Sequence, residues 1–255
     1  MFYYKVIVAY DGTDYFGWQW QPSQNTVAGQ LEKSFYQAFK QKPVSLVGAS
    51  RTDTGVHAWG QVVRLKIPFP IEPHKLKLAW QGTLPPDIML HDVTQVTEDF
   101  GAHHYVEEKI YDYYVSRKRL MPFFARYCAT YYADFDSDIL QKNLQVFIGT
   151  HDFRSFCTGD GKENTVRTIN SISLHYIKRY GVYRIRVKGP GFLRYMIRRI
   201  VGASLQVMTM QLEKRIEDGT HFLHTILQEK NPHQNLKTAA AHGLMLRSIK
   251  YRNTL

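Results

Sequence analysis

The sequence predicts an α+β protein built around a mostly antiparallel β-sheet. Strand-like and helix-like segments alternate in no fixed order, which argues against a doubly wound parallel sheet. Two apolar segments are joined over residues 179–181 by a short connection ending in glycine, as in a β-hairpin. The chain has 255 residues, of which 44% are hydrophobic and 22% charged, so it can bury a substantial core.

The first half of the chain contains strands on both sides of one polar loop. Residues 2–10 are aromatic and β-branched and stop at Asp11-Gly12, which is typical of a strand that ends in a turn. Thr26 is a suitable N-cap for a helix whose apolar residues recur at helical spacing up to residue 39. The other elements predicted here are strands over 44–47 and 61–67 around a loop at 48–60, a helix over 72–81, and strands over 88–96 and 103–116.

The second half repeats this mixture of strands and helices. Ser137 is expected to cap a helix with apolar residues as far as residue 148. The remaining predictions are a hairpin of strands 168–177 and 182–188, helices over 193–208 and 221–228, and a last strand over 244–251. Each half therefore contributes strands, a helix and a loop with His, Asp and Arg, which indicates a duplicated architecture without a fixed-period repeat.

The charge of the chain points to a polyanionic partner. Lys and Arg number 33 against 22 Asp and Glu, giving a net charge of +11. Such a surface attracts nucleic acid first and an anionic membrane second. Seventeen Tyr, fourteen Phe and four Trp supply flat faces for unpaired bases, although most aromatic residues serve a core.

Several classes of protein are excluded by what the sequence lacks. Cys128 and Cys157 cannot form a disulfide framework, and no C-x-x-C pair is present for zinc. No apolar run approaches the roughly 18 residues of a membrane span, and the first residues do not look like a signal peptide. We therefore expect a cytoplasmic protein with no membrane segment.

Two further motifs are better explained without a ligand. His221-x-x-His224 and His233 have no cysteine or carboxylate at a ligand spacing, so a helix surface is favoured over a metal site. Residues 158–163 contain glycines and a lysine but do not match the phosphate-loop pattern, which favours a flexible turn.

The densest polar cluster is the sequence GASRTDTGVH over residues 48–57. Two interpretations remain open. Asp53 either begins a turn, with Arg51 as a surface charge, or it is a catalytic carboxylate that the neighbouring guanidinium keeps ionised. Ser50 and His57 add the residue types of a hydrolase triad, but the final glycine of G-x-S-x-G is missing and triad partners normally come from separate segments.

The predicted helix at 193–208 carries a second group of candidates. Its apolar residues form one stripe, with Arg194 and Arg198 on the flank of the stripe and Arg199 pointing away. A flanking arginine either presents its guanidinium to a carboxylate or phosphate in a cleft, or is an ordinary solvated charge. On spacing alone, the two alternatives are equal.

Tyrosines dominate the strand predicted over 103–116. Tyr111 and Tyr113 share one face, and Tyr114 lies on the other. Tyrosines in strands usually pack in the core, and any one of these could instead stack on a base.

Taken in order, seven blocks of the sequence resemble the tRNA pseudouridine synthase A family over nearly the whole chain. The first block, at 10–19, contains YDG and GWQ. The other six are GASRTDTGVH at 48–57, LPPDI at 84–88, K-x-Y-x-Y at 109–113, HDF-x-SF at 151–156, MIR-x-IVG at 196–202 and GL-x-L at 243–246.

The resemblance implies a fold, an activity and an assembly. The fold is two similar α+β halves, 1–104 and 105–255, that form one continuous, largely antiparallel sheet with helices on one side and a central cleft. The activity is isomerisation of uridine to pseudouridine at positions 38, 39 and 40 in the anticodon arm of tRNA. The family acts as a homodimer and needs neither cofactor nor metal.

The resemblance also assigns individual residues. Asp53 matches the catalytic aspartate, Arg51 the arginine of the same loop, and Tyr111 the tyrosine that stacks on the target uracil. Arg198 matches the arginine that pairs with the aspartate, so we expect it to reach Asp53 across the cleft. Leu244 matches a leucine of the pocket wall.

The sequence departs from the family pattern at two positions. His103 stands where an arginine is expected, and His242 stands where a proline is common. These departures concern secondary contacts to RNA. A catalytically silent RNA-binding protein on the same fold is the main alternative function.

Overall fold

The structure is a computed structural model that describes residues 1–158 and 164–252. Most of the segment 158–163 compared above with a phosphate loop therefore lies outside the described residues. The chain separates into two compact units, Met1–Lys109 with Met245–Leu255 and Ile110–Leu244. Within the described ranges, no helix is both long and apolar enough to cross a membrane.

Strands and helices follow one another in mixed order, which confirms the predicted α+β class. The elements are β1 Phe2–Tyr10, α1 Val27–Phe39, β2 Ser45–Gly48, β3 His57–Ile67, α2 Pro73–Gln81, β4 Ile88–Val96, β5 Val106–Ser116, α3 Pro122–Ala125, β6 Ala129–Thr130, α4 Ser137–Gln145, β7 Gly149–Asp152, β8 Val166–Ile169, β9 Ser171–Ile177, β10 Val182–Gly189, α5 Met196–Leu212, α6 Gly219–Glu229 and β11 Leu244–Tyr251.

The sheet of the first unit has the strand order β4-β1-β3-β11, with β2 also paired to β3. β1 is antiparallel to β3 and β4, whereas β11 is parallel to β3. Alternate residues of β1 are buried, as expected for a strand with one face on the core: Tyr4, Val6, Val8 and Tyr10. α1 packs on α2 and β2, and α2 packs on β4. The predicted cap of α1 is confirmed, because Thr26 Oγ1 accepts the N–H of Gly29 at 3.2 Å.

The second unit contains the strands β5-β10-β9, with β6 parallel to β5, and a separate hairpin of β7 and β8. Helices α4, α5 and α6 pack on one another. A cluster of phenylalanines fills the core beside them, with Phe147, Phe153 and Phe156 fully buried. The predicted hairpin of β9 and β10 is confirmed, and Gly181 supplies the positive φ of 65° in its turn.

Two predicted strand boundaries are wrong, and both depend on how the strands pair in the folded chain. The strand predicted over 168–177 is two strands, because β8 pairs with β7 and β9 pairs with β10. The loop predicted over 48–60 is shorter, because β3 begins at His57.

Two predicted helix boundaries also differ from those in the structure. The cap of α4 is Asp136 and not Ser137, since Asp136 Oδ1 accepts the N–H groups of residues 138 and 139 at 2.8 and 3.0 Å. Helix α5 begins at Met196, after Tyr195 in the left-handed conformation.

Candidate active site

The loop that contains Asp53 joins β2 to β3 and is held at its start by a buried glutamine. Gln61 is fully buried on β3, where its Oε1 accepts the N–H of Ser50 at 3.1 Å and its Nε2 donates to the Ser50 carbonyl at 2.6 Å. The N–H of Ala49 donates to the Val62 carbonyl at 2.8 Å. Both backbone groups of Ser50 are therefore satisfied before the loop leaves the sheet.

Asp53 itself begins a tight turn. The N–H of Val56 donates to the Asp53 carbonyl at 3.1 Å, and Gly55 between them has a φ of +75°. A positive φ at the third position of such a turn favours glycine, which explains the D-x-G spacing. The Asp53 side chain is half-buried, next to the exposed Arg51. The turn interpretation is confirmed, and it also fixes the backbone that carries the carboxylate.

A second loop, which follows β1, packs against this turn. The Tyr10 hydroxyl and Thr52 Oγ1 are 2.8 Å apart, and the N–H of Trp18 donates to the Thr52 carbonyl at 3.1 Å. Gly17 has a φ of +86°, and a Cβ at this position would lie 2.6 Å from the Thr52 carbonyl oxygen. The YDG and GWQ blocks of the sequence therefore support the Asp53 loop directly.

His57 at the start of β3 ties the same two loops together. Its ring is buried, with Nδ1 2.9 Å from the Gly12 nitrogen and 3.1 Å from Asp11 Oδ1. Asp11 Oδ1 also accepts the N–H and the hydroxyl of Thr13. These contacts give His57 a role in holding the second loop.

The carbonyl of Ala49, at the beginning of the Asp53 loop, accepts a hydrogen bond from a lysine. Lys109 Nζ donates to this carbonyl at 2.7 Å. Burial lowers the pKa of His103, and the nearby charges of Lys109 and Arg51 lower it further. The family departure at His103 therefore places a histidine that favours its neutral form beside two permanent cations.

Tyr111 lies in the second unit, on β5. It is 5% exposed and makes an edge-to-face contact with Phe192, with ring centroids 5.5 Å apart. Tyr113, two residues on, is also buried, and burial raises the pKa of its hydroxyl. Both tyrosines are buried, as the packing alternative expects, and whether Tyr111 also stacks on a base stays a prediction. Sequence reasoning missed Phe192, because no local pattern distinguishes it.

Arg198 on α5 is anchored to the segment that precedes β11. Its Nε donates to the Ala239 carbonyl at 2.9 Å, and its guanidinium carbon lies 5.1 Å from the centroid of the Tyr195 ring. Arg194 lies before the helix, is exposed and contacts the same ring. Arg199 is not a solvated charge, because its Nη1 donates to the carbonyls of residues 157 and 232 at 2.9 and 3.2 Å.

Leu244 begins β11 and is 5% exposed. Gly243 before it packs so closely that an added Cβ would lie 2.7 Å from Cζ of Tyr113. Burial lowers the pKa of His242, and the charge of Arg198 lowers it further. In the G-L-x-L block, the backbone at Gly243 therefore packs directly against the ring of Tyr113.

A buried ion pair next to Tyr111 escaped the sequence analysis. Asp112 is fully buried on β5 and accepts two hydrogen bonds from Arg186 on β10, Nε to Oδ1 at 2.7 Å and Nη2 to Oδ2 at 2.8 Å. A two-pronged pair of this kind fixes the spacing and register of the two strands.

The candidate residues divide between the two units. Asp53 and Arg51 lie in the first unit, and Tyr111, Arg198 and Leu244 lie in the second. The expected contact between Arg198 and Asp53 stays a prediction, as do the roles of all five residues.

Comparison with known proteins identifies the family. A family model described as tRNA pseudouridine synthase matches residues 6–103 and 144–252. The tRNA pseudouridine synthase A of Leuconostoc citreum is 38% identical over 97% of this chain and 96% of its own length. Proteins named tRNA pseudouridine synthase A 1 are 34% identical in Protochlamydia amoebophila, over 98% and 96% of the two chains, and 36% identical in Bacillus cereus, over 98% of each. The chain therefore belongs to the tRNA pseudouridine synthase family.

Proposed function

We propose that this protein isomerises uridine to pseudouridine in tRNA, at positions 38, 39 and 40 of the anticodon stem-loop. The observation that carries the proposal is the Asp53 loop. Its aspartate is intact, its turn is closed by the Val56 N–H, and the buried side chain of Gln61 holds its start. An intact aspartate in this loop favours the enzyme over a catalytically silent RNA-binding protein.

The reaction conserves every atom of the nucleotide. The glycosidic bond from the sugar to N1 of uracil breaks, the base rotates, and a new bond forms from the sugar to C5, with the C5 proton replaced by one on N1. The Asp53 carboxylate either forms a transient bond to the sugar or base, or stabilises positive charge on the sugar. The target base must leave its stack first, and Tyr111 is the aromatic partner proposed for it.

The proposal assigns one wall of the cleft to each half of the chain, 1–104 and 105–255. Arg51 and Arg198 would keep Asp53 ionised and oriented, and Leu244 would contribute to the pocket wall. The support for these roles is the match to the family motifs and, for Arg198, a guanidinium already fixed by Ala239 and Tyr195.

Replacing Arg198 by Lys should reduce turnover more than stability. Lysine keeps the charge but cannot reproduce both the planar contact over Tyr195 and the bond to Ala239. We expect kcat to fall by more than about tenfold, and the free energy of unfolding by only about 1 kcal/mol, the worth of one hydrogen bond. Single-turnover rates and urea unfolding measure the two effects. A variant with full turnover would remove Arg198 from the site.

Replacing Tyr111 by Phe should leave tRNA binding intact. Phenylalanine keeps the ring and its edge-to-face contact with Phe192. We expect the Kd for tRNA, measured by filter binding, to stay within about twofold. The corresponding change in binding free energy is well below the roughly 1–3 kcal/mol that loss of a stacking contact costs. A full isomerisation rate would limit the role of Tyr111 to its ring. Binding weakened tenfold would show that the hydroxyl contacts RNA.

A homodimer that works in the cytoplasm completes the proposal. The net charge of +11 supports a broad surface for a folded tRNA. The two cysteines are buried and form no disulfide within the described part of the chain, which suits a reducing compartment. Sedimentation at micromolar protein tests the assembly. A monomer that is active on tRNA would refute the dimer.

The substrate assignment is tested with altered tRNA. An unmodified transcript with uridine at positions 38, 39 and 40 is compared with one carrying cytidine there, and pseudouridine is mapped at every position. We expect product only in the first transcript. Product elsewhere would overturn the anticodon assignment. Binding without any product would favour the silent RNA-binding alternative, and covalent labelling of Ser50 by a hydrolase inhibitor would favour a hydrolase.

A further inference from the structure

Two β-bulges alter the face that the first sheet turns away from α1 and α2. Between the pairs Val8–Gln61 and Tyr10–Ala58, β3 has one residue more than β1. Between the pairs of Ile7 and Val8 with β4, the extra residue is His91. A bulge re-aims the side chains next to it. Gln61, which flanks the first bulge, is fully buried, whereas Trp59, one of the two β3 residues inside it, is 52% exposed.

Trp59 forms the middle of a three-residue ladder across this face. The guanidinium carbon of Arg247, on β11, lies 4.9 Å from the centroid of the Trp59 ring. The His91 ring, on β4, lies 5.6 Å from it at an interplanar angle of 34°. The ladder thus combines an exposed aromatic ring with a cation held over it.

Two hydrogen-bonding groups of this ladder have no partner within the part of the chain that the structure describes. Among the described residues, the Arg247 guanidinium makes no hydrogen bond and no ion pair, and the indole N–H of Trp59 has no acceptor. A guanidinium that lies over an aromatic ring keeps its N–H donors directed sideways. Arg247 is therefore pre-organised to donate to an anion from outside.

The ladder begins close in sequence to the proposed catalytic residue. Trp59 follows Asp53 by six positions, and β3 starts directly after the Asp53 turn. The register of β1 and β3 pairs Lys5 with Arg64 and Tyr3 with Lys66, and the Arg64 and Lys66 charges lie 4.7 and 5.4 Å from the Tyr3 ring centroid. Cations held over aromatic rings therefore recur on this sheet, and of the two rings, that of Tyr3 is buried whereas that of Trp59 is exposed.

We propose that the ladder of Trp59, Arg247 and His91 is a docking surface for the RNA strand next to the target uridine. Arg247 donates to a phosphate, and Trp59 supports an unpaired base or its ribose. This inference rests on the proposed function, because it takes tRNA as the substrate. It adds residues outside the family motifs to the RNA-binding surface.

Equilibrium binding of unmodified tRNA tests the docking surface without requiring any product. The variants Trp59→Ala and Arg247→Gln are made in the Asp53→Asn chain, so that no turnover occurs during the measurement. We expect each Kd to rise by about tenfold, within the range for one stacked base or one phosphate contact. Arg247→Gln should also lower the slope of log K against log salt by about one unit.

Tyr36→Ala is the matched control, because Tyr36 is a similarly exposed aromatic, at 49%, on α1 of the same unit. Its tRNA affinity should equal that of the parent chain. Unchanged tRNA affinity in both ladder variants would overturn the proposal. If the sedimentation of Trp59→Ala changed while its tRNA affinity did not, the surface would bind a protein partner, and the proposal would also be overturned. Weaker binding by both ladder variants, with no pseudouridine made by the wild-type chain, would support the docking surface while rejecting the proposed enzyme.

Discussion

Asn at position 53 in place of Asp is expected to reduce pseudouridine formation by at least about 1,000-fold, the scale on which enzymes lose rate when a reacting group is removed. The amide keeps the shape of the carboxylate but has no negative charge, so it can neither attack the substrate nor stabilise positive charge on the sugar. The turn around it should persist, because its bond from Val56 and the φ of Gly55 involve backbone only.

Binding distinguishes this chemical role from a structural one. The Kd of the Asp53→Asn chain for tRNA should stay within about threefold of wild type, since electrostatic contacts to phosphates supply most of the affinity. Asp138→Asn, at an exposed carboxylate in the first turn of α4, is the control and should keep the wild-type rate. Activity of Asp53→Asn within tenfold of wild type would remove Asp53 from the catalytic role.

Loss of the Arg186 side chain is expected to cost about 3–5 kcal/mol of unfolding free energy, as for other broken buried ion pairs. The Asp112 side chain is 1% exposed, so Arg186→Ala would leave a buried carboxylate without its charge partner. Urea unfolding followed by circular dichroism measures the change. Lys188→Ala, two residues further along β10, is the control and should cost little.

A paired replacement separates the lost partner from the lost packing. In Asp112→Leu with Arg186→Met, no charge is left buried, so a large part of the stability should return. A single Arg186→Ala variant that loses less than 1 kcal/mol would show that solvent reaches Asp112. The pair lies beside Tyr111 on β5, so its loss should also weaken the positioning of that ring.

The sequence predicted correctly those helices and strands whose ends depend on residues close by in the chain. The strands over 88–96 and 244–251 have the predicted bounds, and Thr26 caps α1 as its side chain chemistry requires. The short elements α3, β6 and β7 were missed, because two to four residues show no period. The break between β8 and β9 depends on which strand each one pairs with, and this is a property of the folded chain.

The candidate site was predictable in its motif but not in its supports. The D-x-G spacing predicts the turn at Asp53. Glycine is required at position 17 because of the Thr52 carbonyl, 35 positions away, and the local sequence does not show this. Asp112 and Arg186 are separated by 74 positions, and Arg199 finds its acceptors at residues 157 and 232. Contacts between distant segments leave no periodic signal in a single sequence.

The most direct test of the account is to incubate the purified wild-type protein with unmodified tRNA, without added cofactor, and to map pseudouridine at every uridine. We expect pseudouridine in the anticodon arm, formed with no change in the mass of the tRNA. If the protein binds these tRNAs but forms pseudouridine in none of them, the proposed function is contradicted.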